Sequence, residues 1–233
     1  MQRSPLNLVP AAAYALGASL LLGGCDWNRF IRGGSKEAPG TSTASRHAPA
    51  GSFSNADRDG LFERESQLLS DRIVLLGTPL SDDVATDVIS KLLYLESQDR
   101  AAPILLYINS PGGIATAGLA IIDTMAKLEP AVSTVVMKQA SGIAVNIAAA
   151  GERGHRKALA GAFCELTPLR GGADALGAAE RERLTHVCVT QLCSATGRTE
   201  DEVHTAMEEA RAFSGADAVA WGLLDVLLHQ TDA

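Results

Sequence analysis

The sequence lacks most of the features that mark a protein's class at a glance. None of its four cysteines (Cys25, Cys164, Cys188, Cys193) forms a Cys-x-x-Cys pair, and no histidine stands at zinc-ligand spacing from them. No metal or cofactor is therefore called for, and the cysteines read as structural thiols. A basic stripe is missing too. Net charge is −7, and residues 1–56 carry five bases (Arg3, Arg29, Arg32, Lys36, Arg46) against two acids (Asp26, Glu37). The remainder is accordingly about −10, with nothing to displace counterions from a phosphate backbone, which argues against nucleic acid as a partner. No internal repeat is visible.

A membrane-spanning run is also absent. The longest apolar stretch, residues 8–22, contains Pro10 and is shorter than the roughly 20 residues a spanning helix needs. With Arg3 before it and Gly23-Gly24-Cys25 after it, it reads as the hydrophobic part of a cleavable leader over residues 1–25. Leu22-Gly23-Gly24-Cys25 also resembles the lipobox of bacterial lipoproteins, which makes Cys25 a lipidation candidate. Only in that case is a membrane expected as a partner. Residues 26–56 form a Ser-, Thr-, Gly-, Arg- and Ala-rich tract with few acids that buries too little apolar surface to order itself, and a disordered linker is expected over 26–60. Its composition resembles an organellar transit segment. Three readings stay open: import into an organelle (plastid stroma first, then mitochondrion), a bacterial lipoprotein, or an extension of a cytoplasmic protein.

What is present begins at about residue 61. Residues 71–77 are a short apolar run closed by Gly77, the pattern of a buried strand. Residues 81–96 place Val84, Val88, Ile89, Leu92, Leu93 and Leu95 on helical spacing. A second strand is expected at 104–108, a helix at 116–128 stopped before Pro130, a third strand at 132–137 and an Ala-rich helix at 142–150. Leu184, Val187, Cys188, Gln191, Leu192 and Ala195 share one helical face ended by Gly197. Thr199-x-x-Glu202 is a capping box opening the next helix. Strands alternating with helices predict crossover units and a largely parallel sheet.

Tyr107-Ile108-Asn109-Ser110-Pro111-Gly112-Gly113 joins a strand to a helix. Two glycines permit close backbone approach, and N–H groups beside a helix start can stabilise an oxyanion. A tight strand-to-helix turn accounts for the same residues without chemistry.

Taken together, these stretches resemble the proteolytic subunit of the ATP-dependent Clp protease, the ClpP family. The similarity runs without a gap from Asp71-Arg72-Ile73 to Gly172. It includes Leu92-Leu-Tyr-Leu-Glu96, the Gly-Gly turn, Thr116-Ala-Gly-Leu-Ala-Ile-Ile-Asp-Thr-Met125, Gln139-Ala140 and Ala149-Ala-Gly151, and resumes at Ala195-Thr-Gly197 and Trp221-Gly-Leu-Leu-Asp225. The resemblance implies a ClpP/crotonase fold of stacked parallel βαβ units over residues 61–233, assembled into rings. It further implies catalytic Clp-type subunits and a Clp ATPase chaperone as partners.

The family's catalytic serine, histidine and aspartate fall on Gly142, Thr167 and Ala210. None of these can serve as nucleophile, imidazole base or its orienting carboxylate. The resemblance thus points to a non-catalytic subunit. Gly112, Gly113 and Ile143 occupy the oxyanion-hole positions, and Tyr107 an aromatic position of the family's ATPase-docking patch. Its other reading is a packed strand aromatic.

Ser141, one residue before the vacant nucleophile position, is the fallback. Ala-Ser-Gly also resembles the nucleophile turn of enzymes that pair serine with lysine, and Lys138 lies nearby on the strand. Strand alternation sets the two side chains apart, and a turn or helix-cap hydroxyl is the alternative role. A crotonase-like acyl-CoA enzyme is a weaker third reading, since the Gly112-Gly113 turn could hold a thioester enolate. His47, His155, His186, His204 and His229 read as solvated or structural. The segment 172–196 is about six residues shorter than the family's handle, which places ring stacking in doubt.

Overall fold

The computed structural model describes residues 65–168 and 177–228. The expected leader over 1–25, the expected linker over 26–60 and Cys25 lie outside the described residues, as does part of the segment expected to form a shortened handle. Among the described residues no helix is long and apolar enough to cross a membrane.

Residues 65–70 are helical and lead into strand β1 (Ile73–Leu76). Helix α1 (Asp82–Gln98) follows because Ser81 caps it, its side chain accepting from the Val84 N–H, with Asp82 and Asp83 in the first turn. Its other end is closed by Arg72. That residue sits at φ 60°, and its guanidinium donates to the carbonyls of Leu95, Asp99, Ala102 and Pro103. One side chain thus satisfies acceptors that a helix end and its following turn leave open.

Strand β2 (Ile104–Ser110), helix α2 (Ala115–Met125) and strand β3 (Val132–Ser141) complete two crossovers. β1, β2 and β3 are parallel neighbours in that order. Right-handed crossovers that advance in one direction put α1 and α2 on the same face of the sheet. Ile104, Leu106, Ile108 and Ser110 of β2 are buried, while Leu105, Tyr107 and Asn109 alternate with them and stay half-exposed.

β3 is the hub. Its first half pairs with β4 (Arg156–Leu159) and its second half with β5 (Phe163–Glu165). Between the two halves the register with β2 breaks: Ile108 faces Val136, but Ser110 faces Ala140. This corrects the expected strand end at 137, because an irregularity interrupts the apolar run although the strand continues to Ser141.

Helix α3 (Ile143–Ala149) is buried at every position. Helix α4 (Ala178–Thr196) ends at Gly197, in the left-handed conformation that glycine adopts without cost. Helix α5 (Glu200–Glu208) carries the predicted capping box of Thr199 and Glu202. Strand β6 (Ala212–Ser214) runs antiparallel to β5, helix α6 (Gly215–Trp221) follows, and strand β7 (Val226–Leu228) pairs with β4. The result is the mixed α/β, mostly parallel arrangement expected of the ClpP/crotonase fold.

Arg156, 5% exposed, ties the far side together. It pairs with Asp225 through Nε and Nη2 and donates from Nη1 to the Ala195 carbonyl.

Candidate functional site

The site lies where β2 and β3 end. The turn after β2 is fixed by its own chain. Leu80 N–H donates to Gly112 O, Ile114 N–H donates to Leu80 O, and Ser110 Oγ donates to Thr78 O. Both glycines are sterically required. A Cβ built on Gly112 would lie 2.5 Å from the Ser141 carbonyl oxygen, and one on Gly113 would lie 2.2 Å from Leu80 O. The close approach that two glycines predict is therefore an approach to this chain's own backbone, needed whether or not chemistry takes place.

Gly142 follows at φ 53°, ψ −128° and donates its N–H to Glu165 O at 2.9 Å. Glycine adopts this conformation freely, whereas a residue with a Cβ is strained in it. Gly142 is also the N-cap of α3, with no side-chain cap hydrogen bond. The helix-cap role considered for Ser141 is thus not the one it takes.

The structure brings two of the three expected triad positions, Gly142 and Thr167, together. A Cβ at Gly142 would meet Thr167 Oγ1 at 3.1 Å, the single described atom within 4 Å of it. Glu165 is paired with Ala212 in the antiparallel register, and Leu166 N–H donates to Arg211 O. Ala210, just before Arg211, belongs to the turn that ends α5, its N–H donating to Met207 O. Ala210 itself is in the left-handed region at φ 51°. That conformation suits Asp or Asn far better than Ala, so the backbone here fits a residue type other than the one it carries.

Of the expected oxyanion positions, Gly113 makes a backbone bridge to Leu80, and its N–H has no acceptor among the described hydrogen bonds. Ile143 opens α3, where an N–H has no intrahelical acceptor. Ile143 is held by α2: a Cβ at Gly118 would lie 2.2 Å from its Cγ1.

Ser141 is 8% exposed and is the last residue of β3, paired with Glu165. Neighbours in register share a sheet face, so Ser141, Gln139 and Glu165 lie on one side, and alternation sends Lys138 to the other. Among the described residues no hydrogen bond joins Ser141 Oγ to a basic side chain. His186 and His204 lie on α4 and α5, within 3.4 Å of Glu200 and 3.3 Å of Glu208 respectively. His155 is in the turn before β4. The histidines at 47 and 229 lie outside the described residues.

Cys164 sits on β5 beside this site, but burial pushes its thiol up to about 12, which keeps it protonated and unreactive. Cys188 is pushed up to about 12 by the same cause. Both are free, as is Cys193. Tyr107 lies half-buried between Leu75 and Val135, on the sheet face turned away from α1 and α2.

The sequence does not announce β4, β5, β6, α6 or β7, and of these β5 is the one that builds the site. Phe163-Cys164-Glu165-Leu166 alternates half-buried and buried, a signal too short to separate from a loop. Yet it is β5 that carries Thr167 to Gly142. A model of the Clp protease family matches residues 57–231, about three quarters of the chain.

Proposed function

The chain belongs to the Clp protease family, and from that premise we propose that it serves an ATP-dependent degradation complex as a non-catalytic subunit. It is built into a mixed ring with catalytically competent relatives, beside a Clp ATPase. One observation carries the reading. The positions expected to hold nucleophile and base, Gly142 and Thr167, face each other, and Ala210, expected for the orienting acid, is the chain neighbour of Arg211, whose carbonyl accepts from the Leu166 N–H next to Thr167. That Gly142 and Thr167 stand face to face supports reading them as the positions of a nucleophile and its base. Without a triad, a residual oxyanion hole supports acceleration on the order of 10³–10⁴ over water, with roughly 10⁶-fold lost, too little for a working peptidase.

The assembly part of the proposal is supported by uncovered apolar surface. Parallel sheets are ordinarily covered on both faces. Here α1 and α2 cover one face, while Leu75 on the other face is 45% exposed and Tyr107 half-exposed. Leu93 and Tyr94, on the outside of α1, are 49% and 51% exposed. Two different apolar patches on one chain suit a head-to-tail contact, the kind that closes into rings. Tyr107 is the residue proposed for ATPase docking on this face.

Residues 1–60 are proposed as a cleaved leader directing the protein to an organelle, with the plastid stroma first. N-terminal sequencing of native protein tests this: a start between about residues 25 and 62 is expected, and an intact Met1 removes the claim.

The central experiment has two arms. The purified chain is expected not to cleave casein or unstructured peptides, and a native pull-down followed by mass spectrometry is expected to recover catalytic Clp-type subunits. Turnover that disappears in Ser141→Ala would replace this reading with that of a serine endopeptidase.

A further inference from the structure

Helix α3 is apolar at every position but one. Asn146 is 1% exposed, and both hydrogens of its amide are used across the interface with α4. Nδ2 donates to Cys188 O at 3.0 Å and to Gln191 Oε1 at 2.8 Å. Gln191 Nε2 donates back to Asn146 O at 3.3 Å. Three hydrogen bonds thus join the middle of α4 to the helix that starts at the vacated nucleophile position.

A second polar fastening holds the end of α4. Arg153 donates to Ser194 O and Arg156 to Ala195 O, the latter at 2.9 Å. Between α4 and the ends of α2 and α3, an open cleft of ≈ 610 Å³ is lined by residues including Ile122, Ala149, Val187 and Gln191. On that flank α4 is not held by close packing, so its angle depends on where it is fastened. With both fastenings it is fixed at two levels. With the arginines alone, polar fastening would remain at one end only, and the rest of α4 would be held by the non-directional apolar packing of Leu184, Cys188, Val189 and Leu192. Leu184 is the first residue along α4 described as buried, and Arg181, Glu182 and Arg183 before it are exposed. The N-terminal turns therefore project beyond the Asn146 fastening.

We infer that Asn146 and Gln191 form a clamp that fixes the angle of α4, and that this angle determines which Clp-type subunits the projecting turns can meet. A buried polar pair adds little stability over an apolar one of the same shape, and its best-attested use is to specify one arrangement among several. The partner half of the inference rests on the proposed function; the clamp half does not.

The double variant Asn146→Leu, Gln191→Leu replaces the pair with apolar groups of similar volume. Its midpoint of thermal unfolding is expected to match or exceed the wild type. Hydrogen exchange of amides in the first half of α4 is expected to quicken about tenfold, the effect of making local opening easier. Co-assembly with catalytic Clp-type subunits, read by native mass spectrometry, is expected to fall by a similar factor. Gln191→Met, at the half-exposed partner, breaks the clamp without opening a cavity and should give the same exchange result should the double variant fail to fold. Wild-type exchange in the variants would overturn the clamp. Quickened exchange with unchanged co-assembly would overturn its role in partner choice. If the wild type itself enters no mixed ring, the proposed function fails and the partner half with it, while exchange still decides the clamp.

Discussion

Gly142 and Thr167 face each other across the end of the sheet, with the Thr167 hydroxyl oxygen 3.1 Å from where a Cβ at 142 would stand. Gly142 has no side chain and Thr167 no imidazole, yet the two stand face to face as a nucleophile and its base would. The frame is made by backbone: the Gly142 N–H bonded to Glu165 O, the β3–β5 pairing, and the Gly112-Gly113 turn pressed on Ser141.

A side chain returned to position 142 should therefore cost stability. At φ 53°, ψ −128° a serine is strained by about 1–3 kcal/mol. Gly142→Ser alone should lower the unfolding free energy by that much without producing activity. The triple variant Gly142→Ser, Thr167→His, Ala210→Asp should hydrolyse a fluorogenic peptide at a rate measurable above the parent. A folded triple variant with no gain would show that more than three side chains has been lost.

Ala210 offers the reverse change. A left-handed alanine is strained by about 1–2 kcal/mol, whereas glycine is not. Ala210→Gly should raise stability by roughly 0.5–1 kcal/mol in denaturant melts, after allowing for glycine's greater unfolded-state entropy. A loss on this substitution would mean that the Ala210 methyl packs in a way its exposure does not suggest.

Gly118→Ala tests the contact behind Ile143. The added methyl would lie 2.2 Å from Ile143 Cγ1, a side chain that is 1% exposed in a packed core. Overpacking of this kind costs about 1–3 kcal/mol. The substitution should lower the thermal midpoint, and a crystal structure should show the turn at Gly142 displaced.

Asp225 supplies a pH dependence. Burial alone would raise its pKa, but hydrogen bonds from the Arg156 side chain and backbone, the Arg156 charge and the Gly154 N–H outweigh it. The carboxyl is held below its ordinary value. A depressed acid contributes stability that is present above its unfolded pKa of about 3.9 and lost as pH falls through the lower folded value. Acid titration of the unfolding free energy should show this loss below about pH 4, where the unfolded acid begins to bind its proton. Asp225→Asn should remove that component and cost about 2–3 kcal/mol near neutral pH, the low end for a buried pair because the carboxylate is partly exposed. A variant that keeps the full acid dependence would assign it to another carboxylate.

Local chemistry made much of this chain legible. The Ser81 cap, the capping box at Thr199 and Glu202, the stop at Gly197 and the apolar periodicities of α1 and β2 each depend on residues a few positions apart, and a sequence displays such relations directly. It also determined the identities at 142, 167 and 210, the positions where the family resemblance expects a triad. Other features depend on partners distant in the chain. β5 and β6 are three residues each, too short to show a period, and exist because β3 and each other offer them edges. β3 runs past its apparent end because a register shift, invisible in composition, lets its last residues pair with β5 rather than β4. Only that pairing carries Thr167 to Gly142. The roles of Gly112 and Gly113 were likewise open in the sequence, since a glycine pair serves a tight turn and an oxyanion site equally well. The tertiary structure decided what constrains them: the carbonyls of Ser141 and Leu80 occupy the space where a Cβ would stand, so packing alone requires both glycines, whatever chemistry takes place beside them.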